Sequence, residues 1–222
     1  MNSNYMEKRV TVVDYGLGNL FSIRRALAYI GVRVEITSST EVIRQAEWLI
    51  LPGVGSFGDG MQQLRTRGLI EPILQFAQSG RPLLGICLGM QLLFSASEEF
   101  GLHEGLGLIK GNVAQLHNAD PTGRRVKVPH VGWSELIRPR SLTDWGSTIL
   151  EGPLEGDAMY FIHSYVPYPE NESVIIAQIN YGGYLYCAAI EQGNVIGCQF
   201  HPEKSGKAGL HLLRNFIGRT SG

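Results

Sequence analysis

Apolar residues along the chain fall into two kinds of run. In the first half, short blocks rich in β-branched and aliphatic residues, at 10–13, 32–36, 48–51 and 83–86, alternate with segments whose apolar positions recur at helical spacing. The first block ends at Asp14, turns through Tyr15-Gly16-Leu17-Gly18 and leads into a helical pattern over 19–30 that stops at Gly31. Pro52 cuts off the third block. Leu64, Leu69, Ile73, Leu74 and Ala77 then mark helical segments on either side of a break at Gly68, closed by Gly80. Strands alternating with helices predict a parallel sheet covered on both faces. The second half reads differently. Strand-like runs at 113–116, 159–162, 174–179, 185–190 and 195–200 succeed one another between turn residues, with one last helix over about 207–217. The predicted fold is α/β, a mostly parallel central sheet with helices on both faces, joined to a mixed, antiparallel β region. No repeat, low-complexity tract or linker divides the chain, so residues 1–222 read as a single domain.

Composition narrows the function. Lys plus Arg number 19 against 20 Asp plus Glu, a net charge of -1, which leaves no basic surplus to neutralise a nucleic-acid backbone. No apolar run reaches the roughly 18 residues of a membrane span. The polar start over 1–9 lacks the apolar core of a secretory signal, so the cytoplasm is the expected compartment. Three cysteines, Cys87, Cys187 and Cys198, are too few and too widely spaced for a disulfide framework or a metal site. His103, His117, His130 and His211 show no metal-ligand spacing either, so neither metal nor cofactor is expected. Glycine, at 28 of 222 residues, runs at roughly twice its usual share and implies many tight turns and close backbone approaches.

Chemistry concentrates at Gly85-Ile86-Cys87-Leu88-Gly89-Met90-Gln91, where a buried strand gives way to an apolar-periodic helix. A nucleophile on such a turn sits in a strained conformation with its side chain presented, and small flanking residues let the backbone pack closely. The start of a helix favours an anion, and the Leu88 N–H is placed to meet an oxyanion. Read alone, the same residues also describe an inert buried cysteine in an ordinary strand-to-helix turn. A second motif, which alone would read as a surface turn, favours the nucleophile: Phe200-His201-Pro202-Glu203-Lys204 puts an imidazole and a carboxylate just past another strand end. A thiol nucleophile needs a base and a group that orients the base, and Cys87, His201 and Glu203 supply all three. Cys187 and Cys198 lie inside apolar runs and read as core. The stretch Arg124-Arg125-Val126-Lys127 reads as a solvated edge.

These two motifs resemble those of the class I, triad-type glutamine amidotransferases, whose fold is flavodoxin-like. Asp14-Tyr15-Gly16-Leu17-Gly18-Asn19, Leu51-Pro52-Gly53-Val54-Gly55, Val128-Pro129-His130-Val131-Gly132-Trp133 and His163-Ser164-Tyr165 resemble, in order, the glutaminase subunits of imidazole glycerol phosphate synthase. The resemblance implies that Cys87 attacks the side-chain amide of glutamine, that His201 protonates the departing ammonia, and that Glu203 holds the imidazole. It implies an oxyanion hole from the loop Gly53, Val54 and Gly55, chiefly the Val54 N–H, together with Leu88. Gln91, Glu98 and the backbone of His163, Ser164 and Tyr165 match positions that hold the substrate. Ammonia released into neutral water is protonated and inert, so the resemblance implies a partner, a (β/α)8-barrel cyclase, with Asn19, Trp133 and Lys204 among the interface positions. Read one at a time, Asn19 is also a helix cap, Trp133 a core residue and Lys204 a solvated charge.

One departure stands out. Ser134 occupies a position where the family commonly has Asn, and the stretches 99–104 and 181–186 look more like sister glutaminases that serve surface-polysaccharide amino-sugar synthesis. Two glutaminase readings therefore stand, one in histidine biosynthesis and one in amino-sugar synthesis, beside a stand-alone cysteine hydrolase of the same fold and a catalytically dead binding subunit.

Overall fold

Residues 7–152 and 156–219 are described by a computed structural model. In chain order the elements are β1 (Arg9–Val13), α1 (Leu20–Tyr29), β2 (Arg33–Thr37), α2 (Thr40–Gln45), β3 (Trp48–Leu51), α3 (Phe57–Thr66), α4 (Ile70–Gln78), β4 (Leu83–Ile86) and α5 (Leu88–Leu92). Next come β5 (Phe94–Ser97), β6 (His103–Glu104), β7 (Ile109–Gln115), β8 (His130–Glu135), β9 (Ala158–His163), β10 (Tyr165–Pro169), β11 (Ile175–Tyr181), β12 (Tyr184–Gln192), β13 (Val195–Cys198) and α6 (Gly206–Gly218).

Seven strands form the central sheet in the order β11-β12-β13-β4-β3-β1-β2. The five from β13 to β2 are mutually parallel, and β12 and β11 continue the sheet antiparallel. Numbered among themselves, the parallel strands run 2-1-3-4-5, the flavodoxin-like order. Both faces are covered: Val10, Val12, Ile50 and Leu84 pack with α1 and α6, whereas Val13, Leu49, Leu51 and Leu83 pack with α2, α3 and α4. This is why β3 and β4 are apolar at every position or nearly so, and each such Leu or Ile contributes about 1.5–3 kcal/mol by leaving water.

The expected mixed β region is in fact divided. Only β11 and β12 extend the central sheet, while β10-β7-β5-β6 form a separate four-stranded sheet and β8 pairs with β9 in a two-stranded ribbon. The run expected at 113–116 is the end of a longer strand, β7, and the helix after the nucleophile lasts five residues before the chain turns into β5. The elements α2, β5, β6, β8 and β10 are not predicted by the sequence pattern.

Candidate active site

Parallel register assembles the site. Cys198 pairs with Ile86 and Leu51 with Gly85, so β13, β4 and β3 end side by side and deliver Gln199–His201, Cys87 and the loop 52–55 to one edge of the sheet. The Cys87 N–H donates to the Cys198 carbonyl at 2.8 Å, which fixes the nucleophile against the strand that carries His201. Cys87 itself has φ 54° and ψ -112°, a left-handed backbone that an L side chain adopts only under constraint. The constraint is steric. A Cβ at Gly89 would overlap the Leu51 carbonyl, and one at Gly85 would meet Gly89 O at 2.7 Å, so strand and helix approach closer than any side chain allows.

These strand ends set the geometry of Cys87, His201 and Glu203. His201 Nδ1 lies 2.8 Å from Glu203 Oε1, both side chains almost fully buried. His201 Nε2 has no hydrogen-bond partner at normal distance and faces the Cys87 sulfur closely enough for their charges to couple. Burial, the largest single influence, works against the imidazolium. Coupling to Cys87 and the bond to Glu203 outweigh it and raise the His201 pKa to about 9. Cys87 lines a cavity of about 360 Å³ with Leu88, Gln91, His163, Tyr165 and Lys204. Val54 and Gly55 form its rim, and the loop that carries them is anchored by Tyr15, whose hydroxyl donates to the Pro52 carbonyl at 2.7 Å. Gly53 is pressed against Tyr15 Oη and Leu88 Cβ, and burial, then the nearby sulfur, keeps the Tyr15 phenol neutral. The Leu88 N–H, at the first helical position, has no intrahelical acceptor and is free for an oxyanion.

Binding residues divide. Gln91 donates from one amide nitrogen to Tyr165 O and to Gln199 Oε1, each at 2.9 Å, so both its N–H groups are committed and only its Oε1 can accept from a ligand. Tyr165 O also receives His163 Nδ1 at 2.9 Å, which fills both its lone pairs, and Ser164 O accepts from the Leu116 N–H. Glu98 lies elsewhere: it is exposed, outside the cavity, and accepts from Asn112 Nδ2 at 3.1 Å. Its neighbour Glu99 lines the cavity instead, its carboxylate held by the Phe57 N–H at 2.6 Å at the start of α3. Burial, only partly offset by that bond, raises the Glu99 pKa. The chain leaves β5 at Ser97, and the Glu98 N–H is tied to Val113 O, which turns Glu98 toward β7 and Glu99 back toward the nucleophile.

A histidine pair backs the cavity. Tyr165 O can only accept, so His163 Nδ1 carries the proton and His163 Nε2 is a lone pair. His130 Nδ1, 3.3 Å away, must then donate to it, and His130 Nε2 accepts from Ser134 Oγ at 3.1 Å. Burial pushes both pKa values down, to about 3 for His163 and about 4 for His130. His130 is further enclosed by the Phe161 and Tyr181 rings.

Two of the expected interface positions, Trp133 and Lys204, are exposed, and Asn19 is half-buried. Trp133 is 57% exposed and its ring meets Tyr160 edge-on, so it is no core residue. Lys204 is exposed, its ammonium 5.6 Å from the Tyr160 ring centre. Val131 and Ile162, also exposed, face each other across the same ribbon. Asn19 caps α1, its side chain accepting from the Ser22 N–H. Cys187 and Cys198 are buried with free thiols, and burial raises both pKa values. Among the described residues no His, Cys, Asp and Glu cluster suits a metal, and no helix is long and apolar enough to cross a membrane.

Residues 11–219 match the glutamine amidotransferase class-I family, and the chain belongs to it. Over 208 residues it is 47% identical to imidazole glycerol phosphate synthase subunit HisH 1 of Legionella pneumophila (strain Lens), covering 94% of this chain and 98% of that one. To the HisH subunit of Aquifex aeolicus it is 47% identical over 209 residues, 94% of this chain and 95% of the relative. Among solved structures, the PurLQS structure from Thermotoga maritima matches at a TM-score of 0.70 with 20% identity, over 96% of this chain and 99% of that one. A crystal structure of a glutamine amidotransferase matches at 0.68 with 22% identity, over 94% and 99%. Both share the α/β fold of this chain.

Proposed function

We infer that the protein is the glutaminase subunit of an imidazole glycerol phosphate synthase, working in the cytoplasm in histidine biosynthesis, and that residues 1–222 make up one glutamine amidotransferase domain. Near-full-length similarity to HisH subunits favours this pathway over amino-sugar synthesis and over a stand-alone hydrolase. The observation that carries the chemistry is the parallel pairing of β4 with β13, which sets Cys87 beside the Glu203-bound imidazole of His201.

In this reading the Cys87 thiolate attacks the side-chain carbonyl carbon of glutamine. The Leu88 N–H and the loop of Gly53, Val54 and Gly55, chiefly Val54, receive the developing oxyanion. His201 gives its proton to the departing nitrogen, ammonia leaves, and a thioester remains. Water, deprotonated by His201, then releases glutamate. Glu99 faces the substrate's α-ammonium group, and the Gln91 amide oxygen accepts a second hydrogen bond. Ammonia passes to a second subunit, a (β/α)8-barrel cyclase, which docks on the exposed apolar ribbon of Val131, Trp133 and Ile162 beside Lys204 and Asn19.

Cys87→Ala tests the reading in the assembled complex. Glutamine-dependent synthesis falls by at least about a thousandfold, while synthesis from added ammonium salt persists. Loss of both activities in a complex that still assembles refutes it.

A further inference from the structure

The triad leaves one polar side chain beside the nucleophile without a role. Gln199 is completely buried one residue beyond β13, and its Nε2 lies 3.6 Å from Cys87 Sγ. A buried amide carries a desolvation cost that an aliphatic side chain of the same size avoids. Its orientation is dictated by a chain of bonds that begins at a backbone carbonyl. Tyr165 O can only accept, so the Gln91 group that meets it is the amide NH2. That same NH2 faces Gln199, so the Gln199 atom opposite it is the carbonyl oxygen. The other end of the Gln199 amide, the donor end, is thereby turned onto the sulfur.

We propose that Gln199 is a further catalytic residue of the glutaminase reaction: its N–H, aimed by the Gln91–Tyr165 chain, donates to Cys87 Sγ and holds the sulfur as a thiolate facing the substrate. A thiolate accepts a hydrogen bond far more strongly than a thiol, so a fixed donor at this position favours the ionised form. The surrounding groups leave that task open. His201 faces the sulfur as a cation, and Lys204 lines the same cavity. Glu203 sits behind His201 as its anion, and Glu99 lines the cavity with its carboxylate on the Phe57 N–H. Tyr15, Cys198 and His163 are kept neutral by burial and add no charge. His201 must lend its proton to the leaving nitrogen, whereas the Gln199 N–H cannot be transferred and stays on the sulfur throughout the cycle. Gln91 gains a second function, since the residue that receives the substrate with its oxygen also orients the group on the nucleophile with its nitrogen.

The proposal rests on Cys87 being the nucleophile. Its test is the pH profile of iodoacetamide alkylation of Cys87 in the full-length chain, read by mass spectrometry of the Cys87 peptide. Gln199→Met removes the donor and keeps the volume. The alkylation midpoint is expected to move up by about one pH unit, a roughly tenfold slower reaction at neutral pH. The alkaline plateau stays at or above the wild-type rate, because a less stabilised thiolate is the better nucleophile. With glutamine, kcat falls at neutral pH while KM stays within about twofold. An unmoved midpoint, or a lowered plateau at an unmoved midpoint, overturns the proposal, since a merely structural role changes the plateau alone. Should Gln199→Met fail to fold, the wild-type chain supplies the answer. The Gln199 side-chain 15N–1H resonance, recognised by its change in Cys87→Ser, is expected to titrate at the alkylation midpoint, and a resonance that stays fixed through it overturns the assignment. Glutamine turnover that survives in Cys87→Ala defeats the nucleophile reading itself. An inactive Cys87→Ala with an unmoved midpoint in Gln199→Met defeats only the role of Gln199.

Discussion

Two histidine sites border the cavity, and one is charged while the other is neutral. At the edge of the parallel sheet, His201 is buried against Glu203 and beside a thiol, and its pKa rises to about 9. On the β8–β9 ribbon, His163 and His130 are equally enclosed but meet only a backbone carbonyl, each other and a serine hydroxyl, and their pKa values fall to about 3 and 4. Burial disfavours the imidazolium in both places, and the Cys87 sulfur together with the Glu203 carboxylate reverses the outcome in one of them. One wall of the cavity therefore supplies a movable proton and the other supplies fixed, neutral hydrogen-bonding geometry.

Stability against pH reads this contrast most strongly. For His163 and His130 the folded pKa lies below the unfolded value of about 6.5, so the unfolded chain binds more protons and stability is lost as pH falls from about 6.5 toward 3. The loss across that window amounts to several kcal/mol. For His201 the folded pKa lies above the unfolded value, so its contribution is complete below about 6.5 and fades as pH rises through about 9, a smaller change of about 3 kcal/mol. Urea unfolding measured from pH 4 to 10 should show the steeper limb on the acid side. His163→Gln should flatten that limb and His201→Gln the alkaline one. A wild-type acid limb that persists unchanged in His163→Gln breaks the assignment of a neutral pair.

Much of the proton-carrying wall was legible in the sequence, and for one reason. β1, β3, β4 and β13 are buried on both faces, so they stand out as unbroken apolar runs, and the residues just past their ends are read directly: Cys87 after β4, His201 after β13, the Pro52–Gly55 loop after β3. The fixed wall hides because its patterns are inverted or irregular. β8 turns His130, Gly132 and Ser134 inward and Val131 and Trp133 toward solvent, the reverse of an ordinary half-buried strand. β10 contains Pro167 and Pro169, residues that mark a strand down, and it is tolerated as the edge of its sheet. α2 buries a single residue, Ile43, too little for a helical period. Gln199 passed as one more position of a strand-like run, with nothing in the sequence to show that it ends beside Cys87.

Adjacent glutamates illustrate the same blindness and give a smaller, sharper test. No periodicity distinguishes Glu98 from Glu99 just past β5, yet the first is exposed and bonded to Asn112 of β7 and the second lines the cavity. Glu99→Gln should raise KM for glutamine about 10- to 100-fold, the loss of a charged hydrogen bond worth roughly 1.5–3 kcal/mol, with kcat changed only a few-fold. Glu98→Gln should leave both within about twofold. The opposite ranking in steady-state glutaminase assays would restore Glu98 to the substrate.

Trp133 separates the two walls by what each faces. Were it the core residue that its size suggests, Trp133→Ala would cost about 3–5 kcal/mol of stability, in the manner of other buried aromatics. More than half exposed and touching Tyr160 only edge-on, it should cost less than about 0.5 kcal/mol in thermal unfolding of the isolated chain. Its loss should appear instead in the complex, as affinity for the proposed barrel subunit reduced about 10- to 30-fold, because a large aromatic centred on an apolar patch is the kind of residue on which association depends. Alkylation of Cys87 in the isolated variant should match wild type, since neither β4 nor β13 touches the indole. A variant that unfolds early while binding its partner normally would move Trp133 from the docking surface into the support of the ribbon, and His130 and His163 would then owe their placement to it.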